Sequence, residues 1–219
     1  MSVLCMTGWQ QKHDALSGIA PDAVHCDYGA HDNVEAMFTA LPRDVSLAVG
    51  WSLGGQLLVR AVAGGYIAPR ALLLLGAPFQ HVADAHFAHG LPAPMMKEFR
   101  RSYMRHPKEV ITQFHLRTAQ GDAHSERIAG ILNEDIVIWQ NGLLWLDELA
   151  DVTCRTLDFS RFPKTFIVHG AEDKIIYPFN AQAFADSIPA SEFLLWKACG
   201  HAPHLHDPVA LSELIAAHV

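Results

Sequence analysis

The sequence lacks the features that mark membrane, secreted and nucleic-acid-binding proteins. Only 18% of its 219 residues are charged and the net charge is −7, which excludes a general nucleic-acid binder. The longest apolar runs, such as residues 71–75, fall far short of the roughly 18 residues that a membrane-spanning helix needs. The first residues show no basic segment followed by an apolar stretch and a cleavage site, so we expect a cytoplasmic protein.

Cysteine is also scarce, and its spacing excludes two common uses. No two cysteines form a C-x-x-C pair of the kind found in metal or redox sites. A chain this long, half of whose residues are apolar, can bury a core without disulfide bonds. We therefore expect four free thiols at Cys5, Cys26, Cys154 and Cys199.

Short apolar runs alternate with helical patterns along most of the chain. Strands are predicted at residues 2–7, 23–27, 45–51, 71–76, 165–169 and 192–197. Helices are predicted at residues 53–64, 180–188 and 207–218. Continuous apolar strands are typical of a parallel sheet that helices cover on both faces. The pattern predicts an α/β fold with a doubly wound sheet of about six strands.

One long stretch, residues 92–149, interrupts this alternation because its apolar spacing is helical throughout. We predict a core over residues 1–91 and 151–219 with a helical lid over 92–150. Residues 97–127 hold seven cations and four anions, so they carry +3 and the rest of the chain −10. This basic segment either meets an acidic partner or is an ordinary solvated helix face.

The strongest chemical signal is Gly50-Trp51-Ser52-Leu53-Gly54, which follows an apolar strand and opens a predicted helix. A nucleophilic serine needs this strand–turn–helix setting, because a strained turn lifts its hydroxyl above the sheet. Glycine is expected at positions 50 and 54 because both neighbours crowd that turn. The positive end of the following helix would lie beside the reacting oxygen.

A serine hydroxyl needs a base, and in this type of fold an acid and then a histidine follow the serine along the chain. His201 lies just after the last predicted strand, at the edge where open α/β sheets build their sites. The acid is expected in the loop after the preceding strand, where both Glu172 and Asp173 are present. The hydroxyl of Ser52, the base His201 and one of these acids would form a catalytic triad.

A metal site is the competing interpretation of the histidines near the C-terminus. The ligand types suit zinc and belong to His201, His204, His206 and Asp207. Pro203 and Pro208 break any helix that would align them, and no second cluster completes a site. We therefore expect no metal and no other cofactor.

Acyl transfer by serine also needs two hydrogen-bond donors for the developing oxyanion. One is expected to be the backbone N–H of Leu53, directly after the serine. The other is expected from the loop after the first strand, where Gly8 permits close approach and Trp9 supplies an N–H. The Trp9 ring would form part of an acyl pocket, or else it is a core tryptophan without a role in the site.

With these residues placed, the chain resembles an α/β-hydrolase. It is similar to the pimeloyl-acyl carrier protein methyl ester esterases of biotin synthesis. The matching points are Gly8-Trp9, Gly50 to Gly55, residues 140–149, Gly170 and Asp173 with Pro178, and His201-Ala202-Pro203. The resemblance favours Asp173 over Glu172 as the acid.

The resemblance implies hydrolysis of a methyl ester on a pimeloyl chain that is carried by acyl carrier protein. Because that carrier is acidic, docking would involve Arg100, Arg101, Arg105, Arg117 and Arg127. Contact with the substrate is implied for Trp9, Leu53, Phe114, Arg117 and His201.

The sequence departs from the family pattern at two points, and each departure leads to an expectation about the structure. Thr7-Gly8 replaces the usual His-Gly, so the oxyanion loop would be braced differently. The chain begins directly at the strand that leads to this loop, without the two strands that commonly precede it. We expect a covering segment or a dimer contact at the sheet edge that those strands would occupy.

Two other functions fit the same residues. The first is a broad short-chain esterase, lactonase or carbon–carbon bond hydrolase with the same triad, because pocket shape decides between these substrates. The second is a binding module that holds a ligand without turnover, which the retention of all the catalytic residue types argues against.

Overall fold

The computed structural model describes residues 2–218 and contains a parallel sheet of six strands. Their order across the sheet is β2-β1-β3-β4-β5-β6, and every neighbouring pair is parallel. The strands are β1 Val3–Met6, β2 Val24–His25, β3 Leu47–Trp51, β4 Ala71–Leu75, β5 Lys164–Gly170 and β6 Ser191–Trp196. The predicted α/β class and the expected strand number are confirmed.

Nine α-helices of the described residues surround this sheet. They are α1 Val34–Ala40, α2 Leu53–Ala63, α3 Ala93–Arg105, α4 Pro107–Ala119, α5 Ser125–Glu134, α6 Gly142–Asp151, α7 Phe179–Ser187, α8 Pro203–His206 and α9 Pro208–Ala216. Helix α1 was missing from the sequence-based assignment, although Asn33 caps it by accepting from the Ala36 N–H. No helix between residues 2 and 218 is long and apolar enough to cross a membrane.

The central strands explain why the sequence reads as continuous apolar runs. Strand β4 is buried along its whole length. Its leucines alternate between the two faces: Leu72 and Leu74 pack into the core on one side, and Leu73 and Leu75 into the core on the other. A strand covered by helices on both faces has no solvent side, so no polar residues alternate with its apolar ones.

Strand β2 forms one edge of the sheet. This is the edge where a covering segment or a dimer contact is expected from the sequence. The strand is only two residues long and pairs with β1 alone. Val24 is half exposed there. So short an edge strand presents few unpaired backbone groups to other chains.

Helices α3–α6 occupy the chain between β4 and β5 and are called the helical insertion below. The insertion makes hydrogen bonds to the loops that follow strands β1, β5 and β6. It therefore lies at the carboxyl ends of the strands, the edge where parallel sheets place their sites. The division of the chain into a core domain and a lid domain stays a prediction.

Candidate active site

Ser52 occupies the sharp turn between β3 and α2 in a strained backbone conformation. Its φ is 54° and its ψ −124°, a left-handed region that an L-residue rarely adopts. The turn is crowded: a Cβ atom on Gly54 would lie 2.3 Å from the carbonyl oxygen of Met6. A Cβ on Gly50 would lie 2.5 Å from the Cα of Gly55. Only glycine fits at positions 50 and 54, and the strain presents the serine hydroxyl above the sheet.

The structure brings Ser52, Asp173 and His201 together, although they are far apart in the chain. The His201 Nε2 lies 3.0 Å from the Ser52 Oγ, and the His201 Nδ1 lies 2.7 Å from the Asp173 Oδ2. With its proton on Nδ1, the imidazole donates to the carboxylate and accepts from the hydroxyl. All three residues are buried. Serine, histidine and aspartate thus form one hydrogen-bonded chain.

The carboxylate of Asp173 is held by four groups. Its Oδ1 accepts from the backbone N–H groups of Ile175 and Ile176, at 2.8 and 2.9 Å. Its Oδ2 accepts from His201 and lies 3.2 Å from the Nε2 of His169. The alternative acid, Glu172, is exposed and pairs with Lys174 instead.

His169, which the sequence-based reasoning left without a role, joins this network from the end of β5. Its Nε2 donates to the carbonyl of Ile176 at 2.8 Å and also approaches the carboxylate. A histidine in an otherwise apolar strand, just before the acid loop, was the available signal.

Electrostatics around the triad keep Asp173 charged. Burial alone would raise the pKa of Asp173, but the imidazoles of His201 and His169 more than offset it, so that pKa lies well below its usual value. Nearby, burial lowers the pKa of His81 to about 4 and that of His204 to about 3, and the charge of His201 adds to both shifts. Both side chains are therefore neutral near neutral pH.

The two predicted oxyanion donors are close to Ser52. Leu53 is the first residue of α2, where helix N–H groups have no acceptor within the helix. Trp9 follows Gly8, on which a Cβ atom would lie 3.4 Å from the Ser52 Cβ. No acceptor among residues 2–218 takes the backbone N–H of Leu53 or of Trp9. Both donors are thus available to an oxyanion.

The loop of Trp9 and Gln10 is held by the helical insertion. The Trp9 indole N–H donates to the carbonyl of Gly142 at 2.8 Å. The amide of Gln10, a residue with a left-handed φ of 57°, donates to the Tyr103 hydroxyl at 2.7 Å and accepts from the Trp139 N–H at 3.0 Å. These contacts use the side chains of Trp9 and Gln10, which follow Thr7-Gly8.

Trp51, inside the nucleophile motif, holds the loop of the base. Its indole N–H donates to the backbone carbonyl of His201 at 2.8 Å, and its ring packs on that of His204 with centroids 4.3 Å apart. This contact links the residue before Ser52 to the backbone of His201. The sequence pattern marked Trp51 as distinctive and gave no reason for it.

The C-terminal histidines turn to different partners and do not converge on one point. His204 packs on Trp51, and the His206 Nδ1 lies 3.0 Å from both carboxylate oxygens of Asp122. Asp207 caps α9 by accepting from the Ala210 N–H. Helix α8 and the break before Pro208 spread these side chains apart.

A largely apolar pocket opens beside Ser52, and the insertion supplies half of its lining. The core contributes Trp9, Ser52, His81, Leu91, Lys174 and Ile175. The insertion contributes Met96, Phe99, Phe114, Arg117, Leu146 and Leu149. Of the residues predicted to contact substrate, Trp9, Phe114 and Arg117 line this pocket. The side chains of Leu53 and His201 are almost fully buried and do not line the pocket.

The predicted docking arginines differ in their surroundings. Arg100 forms a two-pronged pair with Asp147 at 2.6 and 3.0 Å, and Arg101 pairs with Glu98. Arg127 donates to the carbonyl of Leu205, beside α8. Among the residues that the structure describes, Arg105 has no ion-pair partner.

Comparison with known proteins agrees with this geometry. The model of the alpha/beta hydrolase family matches residues 8–214. The chain belongs to the alpha/beta hydrolase family. This match confirms the resemblance to α/β-hydrolases that was inferred from the sequence. It also confirms the prediction that the protein is a hydrolase.

Two curated proteins illustrate the relatives of this hydrolase. It is 26% identical to the biotin biosynthesis bifunctional protein BioHC of Saccharophagus degradans, covering 82% of this chain and 34% of the relative. It is 27% identical to the pimeloyl-[acyl-carrier protein] methyl ester esterase of Neisseria meningitidis, covering 90% of this chain and 63% of the relative. The chain thus spans between a third and two thirds of these relatives.

Solved structures share the fold at lower identity. A hydrolase from Oleispira antarctica superimposes with a TM-score of 0.80 at 15% identity, over 99% of this chain and 89% of that one. At such identity the likeness establishes the fold alone.

Proposed function

We propose that this hydrolase cleaves carboxylic esters with Ser52 as nucleophile, His201 as general base and acid, and Asp173 as the group that orients the histidine. The observation that carries the proposal is the hydrogen-bonded chain from Ser52 Oγ through His201 to Asp173, at 3.0 and 2.7 Å. A hydroxyl, an imidazole and a buried carboxylate in this order are the parts that serine acyl transfer requires.

In the first half of the reaction, Ser52 Oγ bonds to the ester carbonyl carbon as its proton passes to His201 Nε2. The carbonyl oxygen becomes an oxyanion, which the backbone N–H groups of Leu53 and Trp9 stabilise. The intermediate then collapses, the bond to the alkoxy oxygen breaks, and His201 returns the proton to the departing alcohol.

In the second half, water attacks the acyl-serine and His201 takes a proton from that water. The second intermediate expels Ser52, which regains its proton from His201, and the carboxylic acid leaves. Asp173 stays ionised throughout, which its low pKa favours, and stabilises the imidazolium that forms in both halves.

For the substrate, we propose the methyl ester of a pimeloyl chain carried by acyl carrier protein. The names of the curated relatives support this substrate, and so does the apolar pocket beside Ser52. The basic residues 97–127 on an otherwise acidic chain would favour an acidic carrier. Arg105 is exposed and has no ion-pair partner among residues 2–218, so its charge is available to a carrier.

The deciding experiment follows hydrolysis of methyl pimeloyl-acyl carrier protein and of p-nitrophenyl butyrate by the parent and by Ser52→Ala. We expect the variant to lose at least about 10⁴-fold in kcat on both esters and to keep its Tm, because removing the hydroxyl removes the nucleophile and leaves the packing. Turnover close to that of the parent in a folded S52A enzyme would end the proposal.

The carrier is tested separately by charge reversal. Arg105→Glu should raise the KM for the carrier-borne ester about tenfold at low salt and leave p-nitrophenyl butyrate hydrolysis unchanged. Arg43→Glu makes the same charge change in the exposed loop before β3, at the opposite end of the strand from Ser52, and serves as the matched control. Equal effects of the two reversals would contradict docking at Arg105.

A further inference from the structure

The loop that carries His201 is held by a segment of the helical insertion, residues 118–123. The carbonyl of Thr118 accepts from the His201 N–H at 3.2 Å, and the Ala123 N–H donates to the carbonyl of Ala198 at 2.8 Å. Ala198 has a left-handed φ of 53°, which a non-glycine residue keeps only where its surroundings hold it. The backbone before the base is therefore strained and depends on outside contacts.

Asp122 hydrogen-bonds the same loop at Gly200, between the contacts at Ala198 and His201. Its Oδ2 accepts from the Gly200 N–H at 2.8 Å, directly before His201. Its Oδ1 accepts from the His124 N–H at 2.8 Å, and the His206 Nδ1 lies 3.0 Å from both oxygens. The side chain is completely buried. Burial raises the pKa of Asp122, but these hydrogen bonds more than offset it, so the net shift is downward.

The end of α4 and residues 118–123 also touch the loop of the acid. The Arg117 Nε donates to the carbonyl of Lys174 at 3.1 Å. A Cβ atom on Gly121 would lie 2.9 Å from the Cβ of Glu172, so the two backbones are in close contact. The turn that ends α4 therefore lies against both loops whose side chains meet in the triad.

Asp122 also lies near Cys199 and His206, and the three offer ligand atoms within 4.8 Å of one another. Both oxygens of Asp122 already accept from backbone N–H groups. These contacts make the group a hydrogen-bonded anchor, and nothing in it points to a cation.

We propose that Asp122 is a positioning residue for the reaction, which fixes the backbone of residues 198–201 so that the His201 ring meets Ser52. The inference rests on the proposed function of Ser52 and His201. It assigns to the helical insertion a part in aligning the base, in addition to lining the pocket. Alignment within a fraction of an ångström is worth one to two orders of magnitude in rate.

The test compares Asp122→Ala, Asp122→Asn and Asp207→Ala with the parent on p-nitrophenyl butyrate. We expect D122A to lower kcat about 10- to 100-fold with KM within about twofold, and to slow labelling of Ser52 by a fluorophosphonate in parallel. D122N keeps one oxygen to accept the Gly200 N–H, but its NH2 group then faces the His124 N–H, so its kcat should lie between those of D122A and the parent. D207A removes the cap of α9, which lowers Tm without touching residues 198–201.

Three outcomes would overturn the inference: parental kcat in folded D122A, a D122N enzyme as slow as D122A, or an equal loss of kcat in D207A. If D122A does not fold, Gly200→Ala replaces it, since its Cβ would press on Thr118 O at 3.1 Å and on the Asp122 Cβ at 3.4 Å. We expect kcat of G200A to fall at least about threefold, and an unchanged kcat would count against the inference. A parent that neither reacts with the fluorophosphonate nor hydrolyses the ester would instead refute the proposed function.

Discussion

The sheet and the helical insertion contribute to the site in different ways. The sheet presents Ser52, Asp173 and His201 at the ends of β3, β5 and β6. The insertion contributes no member of that triad, yet its residues line half of the pocket and hydrogen-bond the loops around it. The sheet brings the three side chains together, and the insertion contacts the loops that carry two of them.

The two regions also differ in charge and exposure. Residues 97–127 carry +3 on a chain of −7, and α3 and α4 expose about half of their side chains. The central strands are fully buried. The difference separates two kinds of mutation: changes on the outer insertion should alter which substrates arrive, whereas changes at its inner contacts should alter the rate of the chemistry.

The largest effect of an inner contact is expected at Gly142, where α6 meets the oxyanion loop. In Gly142→Ala the new Cβ would lie 2.0 Å from the Gln10 Nε2 and 2.2 Å from the Tyr103 Oη, so these hydrogen-bonded side chains must shift. We expect kcat for p-nitrophenyl butyrate to fall about 100-fold, because the neighbouring Trp9 N–H is displaced from the oxyanion. Steady-state kinetics at constant pH measure the loss.

Gly130→Ala is the matched control for that change. Gly130 lies on α5 of the same insertion, and a Cβ atom there would meet nothing within 4 Å. Activity should stay at the parental level, and the free energy of unfolding should rise by about 0.5–1 kcal/mol, as is usual for Gly→Ala in a helix. A similar loss of kcat in both variants would mean that the insertion acts through general stability and not through the oxyanion loop.

The sheet could be predicted from the sequence because each strand is marked by residues that are neighbours in the chain. Apolar runs of the right length mark strands such as β4, and the crowding around Ser52 is visible in the spacing of Gly50 and Gly54. The choice between Glu172 and Asp173 needed the resemblance, because both stand in the same loop and only the fold decides which one faces His201.

The contacts made by the insertion could not be predicted in the same way. Asp122 and Gly200 are 78 positions apart, and Gln10 and Tyr103 are 93 apart. No periodicity links such pairs, and a single aspartate in a helical segment looks like an ordinary surface acid. Once two residues are joined only by tertiary packing, their pairing must be read from coordinates.

A second prediction concerns acid stability, to which two buried histidines of the core contribute. The pKa values of His81 and His204 are lowered to about 4 and about 3, below the ordinary 6.5 of an unfolded chain. Between those values and 6.5 the unfolded state binds more protons, so stability rises with pH and is lost as pH falls below about 6.5. Denaturant unfolding at pH 7.5 and pH 5.0 should differ by about 2 kcal/mol for each histidine.

His204→Phe isolates one of these contributions. The ring still packs on Trp51, and the two imidazole nitrogens that it removes are buried without a partner among the described residues. We expect the difference in unfolding free energy between the two pH values to shrink by about 2 kcal/mol. An unchanged difference would show that His204 is protonated as easily in the folded chain as in the unfolded one.

The smallest effect on kcat is expected at Trp51, a residue of the sheet that hydrogen-bonds the backbone of His201. Trp51→Phe removes the indole N–H that donates to the His201 carbonyl and keeps an aromatic ring against His204. One neutral hydrogen bond is worth about 1 kcal/mol, so kcat should fall about fivefold with KM unchanged. Trp145→Phe is the counterpart in the insertion, because Trp145 is equally buried and its indole N–H has no acceptor among residues 2–218. If the two variants lost kcat equally, the loss would reflect smaller rings in the core, and the Trp51 hydrogen bond would have no separate part in holding the base.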